Sequence, residues 1–231
     1  MNSKTAASNR QAYWLSTPGL LLFASMLGTP LLLTFILSFY GFDFTQGIQP
    51  GFTFANYIEV LSDSYFHKIF ARTFIIALLV TAICILLGAP EAYILSRMRN
   101  PWKSLCLIII LGPLLISVIV RTLGWALLIG SKGMISELLQ LLHIVNEPIS
   151  LMFTTTGMVI ALVHVLVPFM VLSVWASLQR IEPQVEDAAL TLGASKFTVL
   201  RRIVLPQIMP GILSGSLIVF ALTARSVLVV R

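Results

Sequence analysis

The sequence carries little charge: only 10% of its 231 residues are Asp, Glu, Lys or Arg, whereas 58% are hydrophobic. Soluble domains carry roughly 25% charged residues, so an ordinary soluble domain is excluded. Cysteine is scarce too, and Cys84 and Cys106 both lie in apolar runs, which predicts no disulfide. The motifs HExxH, CxxC, GxSxG and GxxxxGKS or GxxxxGKT are absent from the sequence. We therefore predict no catalytic residues, no metal and no cofactor, and any ATP hydrolysis is expected in a separate subunit.

What the sequence has instead is five uncharged stretches, each 17 to 32 residues long. A helix needs ~20 residues to cross the hydrocarbon core of a bilayer. Runs of this length without strand-like alternation predict helices, because lipid offers no partner for backbone polar groups. The predicted fold class is an all-α membrane protein, a polytopic transmembrane helical bundle. We place its five spans near 15–40, 73–95, 105–129, 151–177 and 211–230. The first run is too long for a signal-peptide core, so it is expected to stay as an anchor.

The basic residues predict the orientation of the chain. The net charge of +6 does not indicate nucleic acid, because these residues sit in short clusters beside the apolar spans. With the N-terminus inside, nine Lys and Arg fall on the inner side and three fall outside, at Lys68, Arg72 and Lys132. We therefore expect a multi-pass protein with a cytoplasmic N-terminus. The outer segments 41–71 and 131–150 are then expected to form short interfacial helices, or else ordinary connecting loops.

The segment 180–210 is a mixed-polarity stretch in an otherwise apolar chain. Glu182-Pro183 predicts a helix start, and Gly193 can take the left-handed conformation that ends a helix. Ser195 is then suited to cap a second helix that runs towards Pro206. The predicted product is a helix-turn-helix elbow, which serves either as a docking surface or as an amphipathic hairpin resting on the membrane.

One motif in this elbow resembles the EAA signature of permease subunits of bacterial ATP-binding-cassette (ABC) importers. Its positions are Asp187, Ala188, Ala189, Gly193, Ile203, Leu205 and Pro206, with Glu186 just before them. The departure is Asp187, where the family usually has Glu. The resemblance implies an ABC-importer transmembrane domain over 1–231, in which this elbow is a coupling helix seated in a cleft of a cytoplasmic ATPase.

Weaker signals extend the resemblance to the polyamine (spermidine and putrescine) subfamily. They are Asn56-Tyr57, 121–125 (RTLGW), 133–135 (GMI) and 163–169 (VHVLVPF). The implied partners are a second permease subunit, an ATPase dimer, an extracytoplasmic binding protein and membrane lipid, and the implied location is the bacterial inner membrane. Permeases for ferric iron and other small solutes share much of this pattern and remain an alternative.

Five residues within the spans are possible members of a translocation pathway. Glu91 either attracts a cationic substrate or pairs with Arg97 or another cytoplasmic base. Arg121 either pairs with an acid or with backbone carbonyls of the partner permease, or reaches the outer interface. His164, Pro168 and Trp175 share the fourth span, where they either line the route or pack between helices.

The end of the sequence differs from the pattern that the resemblance implies. After Ala224 the chain closes with 225–231 (RSVLVVR), whereas the family continues into a sixth span. The expectation is a truncated chain or a gene-model error, with impaired transport. A non-transporting remnant is therefore the alternative to a working permease.

Overall fold

The computed structural model of the chain describes residues 3–43, 45–131, 133–143, 145, 147–181 and 183–229. Five helical segments in this part are long and apolar enough to cross a membrane: Ser16–Leu37, Ser64–Arg97, Val118–Leu141, Thr155–Leu178 and Lys196–Leu228. The prediction of a polytopic helical membrane protein is confirmed. The chain divides into two units, one up to Lys68 and one from Ile69 onward.

The first unit contains a small β-hairpin that the sequence analysis missed. Helix α1 (Ser3–Leu37) is followed by strands β1 (Tyr40–Asp43) and β2 (Gly47–Phe52), which pair antiparallel, and by helix α2 (Ala55–Ser62). Gly47 has φ +78°, a left-handed conformation that favours glycine at the turn. The segment 41–71 was expected to hold only interfacial helices or loops, so the hairpin is a correction.

Asn56 joins this hairpin to the end of α1. Its side-chain amide donates hydrogen bonds to the carbonyls of Ser38, at 3.0 Å, and Tyr40, at 2.9 Å. Beside it the ring of Phe39 stacks on that of Phe52, with centroids 4.8 Å apart. Asn56, noted above as part of a resemblance, therefore has a structural role, because it satisfies two backbone acceptors where α1 gives way to the strand.

The described residues of the second unit form helices joined by turns and short loops, with no strand among them. It comprises α3 (Ser64–Arg97, which begins in the first unit), α4 (Trp102–Leu115), α5 (Val118–Ile129), α6 (Met134–Leu141), α7 (Thr155–Leu178), α8 (Pro183–Thr191), α9 (Lys196–Val199), a π-helical turn (Leu200–Val204) and α10 (Leu205–Val229). The buried residues of α3 recur every three or four positions, as one helix face requires: Thr73, Ile76, Ala77, Val80, Thr81, Cys84, Gly88, Ala92 and Leu95. This face belongs to a core built chiefly from α3, α7 and α10.

Helices α7 and α10 approach closely because small residues line their contact. A Cβ atom at Gly211 would lie 2.8 Å from the carbonyl oxygen of Ser173, and one at Gly215 would lie 2.8 Å from Sδ of Met170. The hydroxyls of Ser173 and Ser214 are 2.7 Å apart and share a hydrogen bond. This small-xxx-small pattern is typical of helix packing in membranes, where close backbone approach replaces the hydrophobic effect.

The predicted third span, 105–129, is not one continuous helix. Helix α4 ends at Leu115, and Ile116 and Ser117 take extended conformations before α5 begins at Val118. Pro113 lacks a backbone N–H and so weakens the last turn of α4. The expectation of a single helix here was wrong.

A short helix does lie within 131–150, as α6, and the candidate span Val118–Leu141 includes it, so its place outside the membrane stays a prediction. The hydroxyl of Ser136, which is buried, accepts a hydrogen bond from the backbone N–H of Ile149 at 3.1 Å. This bond folds the chain that follows α6 back onto it. Lys132, counted above among the outer basic residues, lies outside the described residues.

The elbow also differs from expectation at its far end. The helical backbone continues from Lys196 to Val229 through both Pro206 and Pro210, whereas we expected a new span to start at 211. The π-helical turn stands directly before Pro206, and there the N–H of Leu205 bonds to the carbonyl of Leu200. This change of hydrogen-bond register lets the helix pass a residue that has no N–H to donate. The expected end of this span at residue 230 lies outside the described residues.

Candidate coupling site

The elbow between α8 and α9 has the turn geometry that the sequence predicts. Gly193 has φ +87°, and its N–H bonds to the carbonyl of Leu190 at 3.0 Å. The N–H of Ala194 reaches back to the carbonyl of Ala189 at 3.1 Å, which completes a Schellman motif. Ser195 then caps α9 by accepting a hydrogen bond from the N–H of Thr198 at 3.2 Å. Glu182, expected to open α8, lies outside the described residues.

The two acidic residues of α8 point in different directions. Glu186 is buried, with 7% of its surface exposed, whereas Asp187 and Ala188 are exposed. Ala189 is half-buried and packs against the core. Consecutive residues on a helix diverge by about 100°, so neighbouring acids face different sides. Helix α8 therefore has an inner face with Glu186 and Ala189, and an outer face where the exposed side chains of Asp187 and Ala188 are short.

Glu186 is held by the last turn of α3. It forms an ion pair with Arg97, and its Oε2 accepts a hydrogen bond from the hydroxyl of Tyr93 at 3.3 Å. The guanidinium carbon of Arg97 lies 5.5 Å from the centroid of the Tyr93 ring, within the range of a cation–π contact. The suggestion that Glu91 pairs with Arg97 is therefore wrong, because the partner of Arg97 is Glu186.

The rest of the motif lies beyond the turn and is divided between core and surface. Ile203 is half-buried and packs against the core, whereas Leu205 is 41% exposed and Pro206 is also exposed. Apolar side chains are exposed at the turn itself, with Leu192 at 89% and Phe197 at 70%. A turn that exposes apolar and small residues next to one carboxylate is a surface suited to a protein partner.

Basic side chains are also exposed in the segments next to the elbow. Lys196, Arg201 and Arg202 are exposed on the second arm of the elbow, and Arg99 is exposed just past the end of α3. The contact between Arg97 and Glu186 brings the ends of α3 and α8 together, so these basic residues belong to one side of the second unit. Such clustering beside membrane spans is typical of cytoplasmic loops.

The five possible pathway residues have separate surroundings. Glu91 is exposed on α3, and Pro168 is buried in the core. His164 is exposed and meets the ring of Trp125 edge-on, with centroids 5.5 Å apart. Trp175 lies beneath Lys103, whose Nζ is 5.3 Å from the ring centroid.

Arg121 is half-buried and donates a hydrogen bond to the carbonyl of Pro113 at 2.9 Å. This acceptor lies in the same chain, in the last turn of α4, rather than in a partner permease as one of our alternatives had it. The guanidinium therefore bridges the break between α4 and α5. A charge deep in a span is costly, and this bond relieves part of the cost.

Sequence reasoning missed the roles of four residues that the structure makes prominent. Arg97 and Tyr93 lie four residues apart on α3, but nothing local linked them to Glu186. Gly211 and Gly215 form a GxxxG pattern inside an apolar helix, and this signal was available in the sequence.

Comparison with known proteins identifies the family of this chain. Residues 108–230, more than half of the chain, match the family described as "Binding-protein-dependent transport system inner membrane component". The chain belongs to this family, and it is a multi-pass inner-membrane component by that description and by its apolar helices.

Two curated relatives and one solved structure are similar to the chain. The spermidine/putrescine transport system permease protein PotB of Escherichia coli K12 is 33% identical over 182 residues, which cover 79% of this chain and 66% of PotB. The inner membrane ABC transporter permease protein YdcU of the same organism is 32% identical, covering 91% of this chain and 74% of YdcU. A bacterial ABC transporter for alginate import shares the fold, with a TM-score of 0.64 at 18% identity over 94% of this chain and 74% of the other. The chain thus spans slightly less than two thirds of the length of PotB.

Proposed function

We propose that this chain is a permease subunit of an ATP-driven ABC importer and that its elbow is the coupling helix that meets the ATPase. The observation that carries the proposal is the outer face of α8, where Asp187 and Ala188 are exposed on a helix fixed by the Gly193 turn. Family membership supports it. The partners in this proposal are a second permease subunit, a cytoplasmic ATPase dimer and an extracytoplasmic binding protein, all working within membrane lipid.

The coupling role assigns a part to each residue of the motif. Ala188 leaves room for the wall of a receiving cleft, and Asp187 offers one carboxylate to a donor in that wall. Ala189 and Ile203 fix the elbow to the core from within. Gly193, Leu205 and Pro206 set the course of the chain from the turn into α10. Closure of the ATPase dimer would then push α8 and, through the continuous helix beyond Lys196, the membrane part of α10.

The proposed orientation places this elbow in the cytoplasm, with the N-terminus on the same side. The clustering of Arg99, Lys196, Arg201 and Arg202 beside the elbow supports it. A coupling helix must also lie where ATP is available. We also propose that 1–231 is a single transmembrane domain of the ABC-importer type.

Polyamine is the proposed cargo, and the similarity to PotB supports this class over others. Glu91, exposed on α3, is the one acid that we place along the route for a cationic solute. The exposed His164 and the half-buried Trp175 are further proposed lining residues, whereas the buried Pro168 shapes α7 from within. Arg121, bound to a carbonyl, is proposed to hold the bent third span rather than to touch a cation.

Copurification with the ATPase subunit of the same transport system tests the docking site. Ala188→Glu adds length and charge to the outer face of α8, and Gln179→Glu adds the same charge at an exposed position before the elbow. We expect the unaltered chain and Gln179→Glu to retain the ATPase, and Ala188→Glu to lose it. If the unaltered chain retains no ATPase under conditions in which PotB does, the assignment is wrong. Uptake of labelled spermidine by cells that lack their own permease then tests the cargo.

A further inference from the structure

The inner face of α8 suggests a role for Glu186 that differs from that of its neighbour. We propose that the ion pair between Glu186 and Arg97 is the link through which movement of α8 reaches α3, so that both are positioning residues for transport. This inference rests on the proposed function. In this inference Glu186 does not meet the ATPase directly; it passes the movement of α8 to α3 inside the chain.

The geometry of the contact supports a mechanical link. The Glu186 carboxylate is held from two positions one turn apart on α3, by the guanidinium of Arg97 and by the hydroxyl of Tyr93. Arg97 also lies against the Tyr93 ring, so its own position is fixed. A carboxylate bound at two positions of α3 resists both sliding and rotation of α8 against α3.

The burial of Glu186 strengthens the ion pair. The side chain of Glu186 is only 9% exposed and that of Arg97 is 34% exposed, so water screens the contact weakly. Without Arg97 the buried charge of Glu186 would lack compensation, which favours keeping the two helix ends together when either of them moves. Among the described side chains of α8, Ala189 packs against the core, and its small size offers little resistance to sliding.

Helix α3 is placed to carry such movement into the membrane. Its 34 residues run from the contact at Arg97 along the core, and one face of it is buried over most of that length. At Gly88 an added Cβ would lie 3.0 Å from Cβ of Met170 on α7, so the two helices are in close contact there. A shift at the Arg97 end would therefore be passed to α7 as well as along α3.

The test compares Glu186→Gln, Arg97→Gln and the exchanged pair Arg97→Glu with Glu186→Arg. Arg99→Gln is the control, because Arg99 is an exposed base that follows Arg97 closely in the sequence. In vesicles containing the assembled transporter, the measurements are the amount of ATPase bound, ATP hydrolysis and spermidine uptake. We expect both single variants to bind the ATPase and hydrolyse ATP normally but to lose at least tenfold in uptake, and the exchanged pair to recover part of it. Arg99→Gln should match the unaltered chain.

Two kinds of outcome would overturn the inference. Uptake within twofold of normal in both single variants, or no recovery in the exchanged pair, would show that the pair transmits nothing. Loss of ATPase binding in parallel with uptake would show that the pair only holds α8 in shape. Absence of the ATPase from the unaltered chain is a different result, since it refutes the proposed function first and this inference with it.

Discussion

The close contact between α7 and α10 predicts that Gly211→Ala destabilises the protein. The new methyl carbon would lie 2.8 Å from the backbone carbonyl oxygen of Ser173, well inside van der Waals contact. Backbone atoms cannot move aside as a flexible side chain can, so the helices must separate locally. Overpacking of this kind costs about 1–3 kcal/mol. The higher helix propensity of alanine returns about 1 kcal/mol, so we expect a net loss of about 0–2 kcal/mol.

Thermal unfolding in detergent, followed by circular dichroism, measures this loss. For a chain of this size a change of 1 kcal/mol shifts the Tm by roughly 2–4 °C. The matched control is Gly124→Ala in α5, because a Cβ there would have no atom within 4 Å. We expect the control to hold or raise the Tm and Gly211→Ala to lower it. If Gly211→Ala raises the Tm as much as Gly124→Ala does, the close approach of the two helices is wrong.

Three further predictions concern single contacts. Gly193→Ala should destabilise the elbow by about 1–2 kcal/mol, because φ +87° is unfavourable for a residue with a Cβ, and faster proteolysis between α8 and α9 would report it. Asn56→Leu should remove two hydrogen bonds at about 1 kcal/mol each and speed amide exchange in the hairpin, and unchanged exchange would contradict the role given to Asn56. The carboxyl of Asp43 accepts hydrogen bonds from the Thr45 side chain and from the backbone N–H groups of Thr45 and Gln46, and these bonds lower its pKa. The contact therefore stabilises the hairpin above about pH 4, and this stability is lost as the pH falls through the lowered pKa. Thr45→Ala should raise that pKa in an NMR titration, and an unchanged value would refute the contact.

Local features of the elbow were predictable because local chemistry decides them. Glycine is the residue that takes a left-handed conformation at little cost, and serine is a preferred cap, so Gly193 and Ser195 indicated the turn before any contact was known. The apolar runs likewise indicated the membrane helices through length and composition alone.

Features set by distant parts of the chain were not predictable. Arg97 and Glu186 are 89 positions apart, and only the packing of α3 beside α8 brings them together. Glu91 is an equally reasonable local partner for Arg97 by charge. The break in the third span was hidden for another reason: the run 104–120 is uncharged throughout, and hydropathy does not record a change of backbone conformation.

The motif in α8 shows how two adjacent acidic residues can have different surroundings. Glu186 and Asp187 are adjacent in the chain, and by charge alone they form one acidic site. The helix directs them apart, so that Glu186 bonds to α3 while Asp187 stays exposed. Of the two acids in this helix, the one at the family's signature position is therefore the one free to meet a partner. The shorter reach of Asp187 is not compensated by its longer neighbour, because that neighbour is already committed to Arg97 inside the chain.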